Sequence, residues 1–338
     1  MNAVAERIAQ LRPADVQGSQ GPQIVWLLGP SRDQPPYRVL DSQTLPAVQV
    51  SEISEAGSVP ELLVENKLDV RVFLMDGQEL VGAKQNRILN TDVLVPAGTR
   101  LRIPVSCVEA GRWEYASRAF SPGRTASYRV RAGKQQRVHE SLRREGRHDA
   151  DQGAVWDEVA MSLACSGCRS STGALHDAYL GRREALAEFR SSLRLPDDAV
   201  GLAVFDGGEF RGLDIFDRHS TLKYFWESLV DSYSLEWLAL GDARPWDPAG
   251  PQEAIGGLLA RIAAVEWEAF DSPGDGREFR FRRESLAGSA LVWEQQSVVH
   301  LQVFPADPDA TGSADRQAGR ARIHRRYRRG SGGPGVRM

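Results

Sequence analysis

Between Glu79 and Trp113 the chain reads ELVGAKQNRILNTDVLVPAGTRLRIPVSCVEAGRW, polar groups of fixed hydrogen-bonding geometry set into strand-like sequence. Ordinary sheet does not need them. Gly82-Ala83-Lys84-Gln85-Asn86-Arg87 puts two small residues beside an ammonium, two amides and a guanidinium, a dense set of donors for an anionic or amide-rich partner. Of 42 basic residues only Lys67, Lys84, Lys134 and Lys223 are lysine. Where arginine is the default cation, a compact ammonium inside such a block marks a place that a guanidinium does not serve; the plainer reading is a lysine on a solvated strand. Glu79 just before the block and Glu109 after the next strand are candidate general bases, or else ion-pair partners that hold Lys84, Arg87 or Arg112. Asn90 adds a further amide. Cys107 ends the strand PVSC, where a nucleophile can be presented, but Val105 and Val108 beside it favour a buried structural thiol. Arg112-Trp113 pairs a cation with a flat apolar platform for a base or sugar ring, and a core aromatic is the alternative.

Other constellations are weaker. Cys165-Ser166-Gly167-Cys168 has redox or zinc spacing, which His176 and Cys107 could complete, but it lacks a second pair and a strand-to-helix setting, so no metal or other cofactor is expected. The sequence holds no G-x-S-x-G elbow or P-loop, and no G-x-G-x-x-G between a strand and a helix. Asp214 and Asp217 bracket a strand end in the second half and are possible acid/base partners.

The elements that must position these groups read as follows. Residues 1–20 are expected as a flexible arm, broken by Pro13 and Gly18. Residues 21–130 read as a β-rich, antiparallel, sandwich-like domain of short strands, with Asp76-Gly77 as a tight hairpin turn. Residues 131–150 read as a hinge region containing one exposed helix. Residues 151–306 read as a mixed α+β domain: helices, with Ser171 or Thr172 as a cap; a strand pair turning at Asp206-Gly207-Gly208; a helical hairpin over His219–Leu240; and closing strands from VEWEAF to SVVHLQVFP. The expected fold class is α+β. Residues 307–338, without acid after Asp315 and rich in arginine, read as a disordered tail, the one segment expected to touch nucleic acid, and then weakly.

The totals bound the rest. With 338 residues, 41% of them hydrophobic, and a formal net charge of -3, the chain fills real cores, and its bulk charge favours neither nucleic acid nor membrane. Three cysteines, no apolar run of membrane-spanning length and no secretion signal point to the cytoplasm. Oligomeric state is not legible.

Five segments in order, EISEAGSVPELLVEN, LMDGQELVGAKQNRILNTDVLVPAGTRLRIPVSCVEAGRW, DQGAVWDEVA, STGALHDAY and FRGLDIFDRHSTL, resemble the ARG and Rhodanese-Phosphatase-superfamily-associated Protein domain, a domain of unknown function, over Val48 to Phe304. The name implies association with ADP-ribosylglycohydrolase and rhodanese-phosphatase proteins, and so a setting of ADP-ribose or phosphate-ester metabolism; it brings no established reaction or catalytic residue. The expectation is a cytoplasmic, bacterial-type protein binding a small anionic ligand, an ADP-ribose-like or nucleotide compound. The ligand-binding set is Glu79, Lys84, Gln85, Asn86, Arg87, Asn90, Cys107, Glu109, Arg112 and Trp113. The alternatives are a non-catalytic interaction module whose polar block is an internal lock, and a phosphoester or ADP-ribose hydrolase using Glu79 or Glu109.

Overall fold

The computed structural model describes residues 2–19, 21–55, 57–240, 248–283 and 285–306; the arginine-rich tail lies outside them. The chain opens with α1 (Asn2–Ala9), β1 (Arg12–Gln17) and β2 (Gln23–Leu28). Short strands follow: β3 (Tyr37–Val39), β4 (Val48–Glu52), β5 (Glu61–Asn66), β6 (Arg71–Leu74), β7 (Gln78–Gly82), β8 (Arg87–Leu89), β9 (Val93–Val95), β10 (Arg100–Cys107) and β11 (Phe120–Thr125). Helices α2 (Tyr128–Glu145), α3 (Gln152–Ser166), α4 (Leu175–Gly181) and α5 (Arg183–Ser191) come next. Then β12 (Ala199–Asp206) and β13 (Glu209–Phe216) lead to α6 (His219–Leu240) and α7 (Ala249–Ala264). β14 (Glu268–Asp271), β15 (Arg277–Arg283), β16 (Leu286–Trp293) and β17 (Ser297–Pro305) close the described chain.

The class is α+β. An eight-stranded sheet runs β1-β2-β12-β13-β17-β16-β15-β14, so β2 pairs with β12 across everything between them and the barrel is an excursion from one large sheet. The boundary expected near residue 130 is therefore not where the chain divides. The first twenty residues are likewise no loose arm: Ala3, Val4 and Ile8 of α1 are buried against Ile255, Leu258 and Ile262 of α7, and β1 forms the sheet edge. Burial of this apolar face outweighs the breaking tendency of Pro13, which an edge strand tolerates. On the other face of the sheet Leu222, Phe225 and Leu229 of α6 cover Trp26, Leu202 and Val204. α6 is one helix, not a hairpin; Ser232 in its middle donates to Ala126 O at 2.6 Å and so loses its helix-breaking alternative.

The strands expected as a sandwich close instead into a six-stranded barrel, β10-β5-β4-β11-β7-β8, beside a three-stranded sheet β3-β6-β9. Closure rests on β10: residues 100–104 pair with β5, and residues 105–107 pair with β8. One strand serving two partners bends the sheet round on itself and leaves no free edge. Asp76-Gly77 is not a hairpin turn, because β6 enters the small sheet and β7 the barrel. Gly77 is needed there nonetheless: it has φ 77°, and a Cβ would lie 3.0 Å from Arg131 Cγ.

The segment expected as a hinge is the most polar part of the core. In α2, Arg131, Lys134 and Gln135 are fully buried. Arg131 pairs with Asp214 of β13, and Lys134 with Asp76 ahead of β7. His300 of β17 sits between Asp92 (2.9 Å) and Asp214 (3.2 Å) and stacks on Phe216. Arg280 pairs with Glu278, which also meets His148 Nε2 at 2.6 Å. These contacts fasten barrel, helix and sheet together, and a hinge cannot operate through them.

Candidate functional site

Alternation along the barrel strands decides which polar groups enter its lumen. Val48 and Val50 of β4 line the apolar core, and Glu52, two residues on, shares their face. Leu89 of β8 and Ile103 and Val105 of β10 do the same, which brings Arg87 and Cys107 inward at the same end. Register confirms the level: Cys107 lies opposite Arg87, Arg87 opposite Leu80, Gly82 opposite Phe120, and Phe120 opposite Val50. One mouth of the barrel is thus floored by a carboxylate, a guanidinium and a thiol above an aliphatic plug.

The turn from Ala83 to Asn86 closes that mouth, and Ala83 takes a left-handed φ of 41° to do so. Arg87 Nη1 donates to Gln85 Oε1 (2.8 Å), Cys107 Sγ donates to the same oxygen (3.1 Å), and Gln85 Nε2 donates to Glu109 O (2.8 Å). Asn86 N donates to Glu109 Oε2 (3.1 Å), and Asn86 Oδ1 accepts from Gly82 N (3.1 Å) and Arg112 Nη2 (3.2 Å). Arg112 clamps Glu109 with both Nε (3.0 Å) and Nη2 (2.6 Å). Glu79 faces outward, 3.4 Å from Asn86 Nδ2 and 3.6 Å from His176 Nδ1. Lys84 Nζ lies 5.3 Å from the Trp113 ring centre and 5.2 Å from that of Tyr115, and the Arg87 guanidinium lies 5.6 Å from Trp113. Trp113 and Tyr115 are 48% and 50% exposed, so each ring offers a wetted face while its other side carries cations.

The electrostatics separate these groups by role. Burial works against the charge of Glu109, but Arg112, Asn86 N and Thr172 together hold its carboxyl below the ordinary range. With Oε1 accepting from Thr172 (2.9 Å) as well, it is a fixed acceptor rather than a base that exchanges protons. Burial pushes the Cys107 thiol up, which is the state of a structural thiol, not of a nucleophile. The Glu79 carboxylate, 3.6 Å from its Nδ1, raises His176, a partly buried ring.

Of the ten sequence-selected residues, the structure joins Glu79, Lys84, Gln85, Asn86, Arg87, Cys107, Glu109, Arg112 and Trp113 in this one constellation. Asn90 belongs elsewhere: its Nδ2 donates to His148 O (2.9 Å), its carbonyl accepts from Lys134, and its Oδ1 accepts from Ser106, all on the core side. Sequence reasoning passed over Glu52, Tyr115 and Gln152, and named Thr172 only as a helix cap and His176 only as a possible metal ligand. Gln152, the first residue of α3, accepts from Cys107 N (2.7 Å) and donates to Cys107 O (2.8 Å), a side chain doing the work of a strand. Thr172 caps no helix, because it is bonded to Glu109, and Ala174 occupies the N-cap of α4. The signal for these residues lay in the segments EISEAGSVPELLVEN, DQGAVWDEVA and STGALHDAY, which supply Glu52, Gln152, Thr172 and His176 to the same site.

Neither a search of curated proteins nor one of solved structures returns a match. A family profile does match, and it spans residues 10–304, so that it takes in the large sheet from β1 through most of β17 together with the barrel and the helices between them. The chain belongs to the ARG and Rhodanese-Phosphatase-superfamily-associated Protein domain family.

Proposed function

We propose that the barrel mouth binds a small anionic ligand carrying a flat ring, an ADP-ribose-like or nucleotide compound. The observation that carries this reading is the pair of half-exposed rings, Trp113 and Tyr115, with Lys84 set against both and Arg87 beneath Trp113. Large aromatics at a protein surface, backed by cations and standing over a barrel end, form the kind of mouth where barrels take ligands. A ring stacks on the outer face of Trp113 or Tyr115, and the anionic group meets Lys84. Gln85, Asn86, Glu109 and Arg112 hold the mouth in shape and do not face the ligand, since their polar atoms are engaged with one another. Calorimetric titration with ADP-ribose and a nucleotide panel tests the reading. Binding is expected for wild type and a loss of at least tenfold for Trp113→Ala and for Lys84→Ala; no binding by wild type, or binding as tight as wild type by both variants, overturns it.

A second reading has its own support. The mutual saturation of Gln85, Asn86, Glu109 and Arg112 suits an internal lock, in which case the protein is an interaction module and partners dock elsewhere. It predicts that the Trp113 and Lys84 variants leave all ligand titrations as featureless as wild type. The hydrolase reading draws no support from Glu109, whose oxygens are both committed.

A further inference from the structure

Glu52 is the one lumen-facing carboxylate at the barrel mouth, and neither of its oxygens has a hydrogen-bond partner among the described residues. Its nearest charge is Arg87 Nη2 at 3.9 Å, too far for a hydrogen bond, and that nitrogen and Arg87 Nε also lack partners. Both side chains are buried, at 3% and 0% exposure. Leaving a buried carboxylate and guanidinium in this state costs several kcal/mol, which is out of keeping with the thorough pairing a few ångströms away. Gly57 shows where the unspent acceptor stands: from the position its Cβ would take, Glu52 Oε2 is 3.5 Å away, Trp113 Cζ2 3.3 Å and the Lys84 Cδ 3.3 Å. With φ at 80° and no side chain, Gly57 lets carboxylate, indole and lysine stem close together at a point where a Cβ would already be crowded.

We infer that Glu52 reads hydroxyl groups, so that the ligand class is a phosphorylated sugar or nucleotide with a vicinal diol rather than a bare phosphate or polyphosphate. This rests on the reading of the mouth as a ligand site and adds its chemistry. A carboxylate repels an unshielded phosphate and accepts from neutral donors, and two oxygens without partners suit two adjacent hydroxyls. The ligand is therefore oriented: anionic group at Lys84 on the rim, ring against Trp113 or Tyr115, diol inward at Glu52. Arg87 supplies unused N–H groups to ring oxygens. The indole of Trp113 lies over Arg87 and moves outward as the diol enters, which makes binding visible in its fluorescence.

The test is calorimetry of the full chain with AMP, 2′,3′-dideoxy-AMP and pyrophosphate, on wild type and Glu52→Gln. The expected result is AMP binding at least tenfold tighter than its dideoxy analogue to wild type, pyrophosphate binding weaker than either, and Glu52→Gln losing the AMP advantage while retaining affinity for the analogue. Equal affinity of wild type for AMP and the analogue overturns the inference and leaves the ligand site standing, with an ordered water as the partner of Glu52. Wild type binding none of the three overturns both. The comparison of the two nucleotides on wild type needs no variant, so it decides the matter even where Glu52→Gln folds poorly.

Discussion

The stability of the protein should fall between pH 6 and pH 9 because of His300. Burial by itself would lower the pKa of this ring, but Asp92 on Nδ1 and Asp214 on Nε2 outweigh burial and raise it from 6.5 to about 9. A folded-state value above the unfolded one gives stability that is complete below pH 6.5 and is lost as the pH rises through 9. At 1.36 kcal/mol per pH unit the contribution is about 3 kcal/mol. With a urea dependence of about 3 kcal/mol per molar for a chain of this size, the midpoint should drop by about 1 M. The groups facing the ring act outside this window or remain charged across it: Asp214 is held down at about 2 by Arg131 and His300 against the effect of burial, and Arg131 is held up by Asp214. His176 is raised and so contributes in the same direction, but its ring is only partly buried and it persists in the control. The assay is urea unfolding followed by circular dichroism at pH 6 and pH 9, for wild type and His300→Gln. The variant is expected to be less stable at pH 6 and to lose most of the pH dependence. Parallel pH profiles for the two proteins would refute the charged, doubly paired imidazole.

Two further outcomes follow from the same contacts. Lys134→Met removes the cation from Asp76, a change that costs about 3 to 5 kcal/mol when a buried carboxylate is left alone; since burial already pushes Asp76 up, the loss should shrink as the pH falls and that carboxyl takes a proton, measurable as the urea midpoint across an acid pH series. Gln152→Glu keeps the acceptor for Cys107 N but loses the donor to Cys107 O and sets two acceptors together, so about 1 to 3 kcal/mol should be lost, with amide exchange at Cys107 and Val108 faster than in wild type; unchanged exchange there would show that α3 does not hold the end of β10.

The parts of the fold that sequence revealed are those whose signals are local. The turn at Asp206-Gly207-Gly208 joins β12 and β13 as its residues demand, and the closing strands show the apolar periodicity of buried sheet. The constellation around GAKQNR was legible for the same reason, since Gln85 lies in the turn just ahead of Arg87 on β8, and Cys107 ends the neighbouring β10. α2 was misread because the partners of its buried cations are remote: 58 residues separate Lys134 from Asp76, and 83 separate Arg131 from Asp214. A helix bearing Arg131, Lys134, Gln135 and Arg137 looks solvated until those carboxylates are brought to it. Asp76-Gly77 was misread by the opposite error, a sound local turn rule applied where the chain leaves one sheet for another. Glu52 was invisible because its significance depends on barrel closure, which puts it at the level of Arg87.

The two polar assemblies of this protein differ in where their unpaired atoms lie. Around α2, Arg131, Lys134, Arg280 and protonated His300 face Asp76, Asp92, Asp214 and Glu278, all nearly or fully buried; each cation has a carboxylate in contact, and the atoms left without a hydrogen bond, Asp76 Oδ2, Arg131 Nε and Arg280 Nη2, lie deep between barrel and sheet. Charges matched in this way hold barrel to sheet, and a ligand entering among them would have to break pairs worth more than it could replace. At the barrel mouth the outer ring of Gln85, Asn86, Glu109 and Arg112 is equally closed, yet inside it Glu52 and part of Arg87 have no hydrogen bonds, under aromatic rings that are half in water. A rigid collar around an unsatisfied centre is the arrangement a binding site requires, because the collar fixes the geometry and the centre keeps its bonding capacity for the guest. The lock and the ligand site are then two zones of the same block, and Glu52, not the lysine that first drew attention, is the residue on which its chemistry turns.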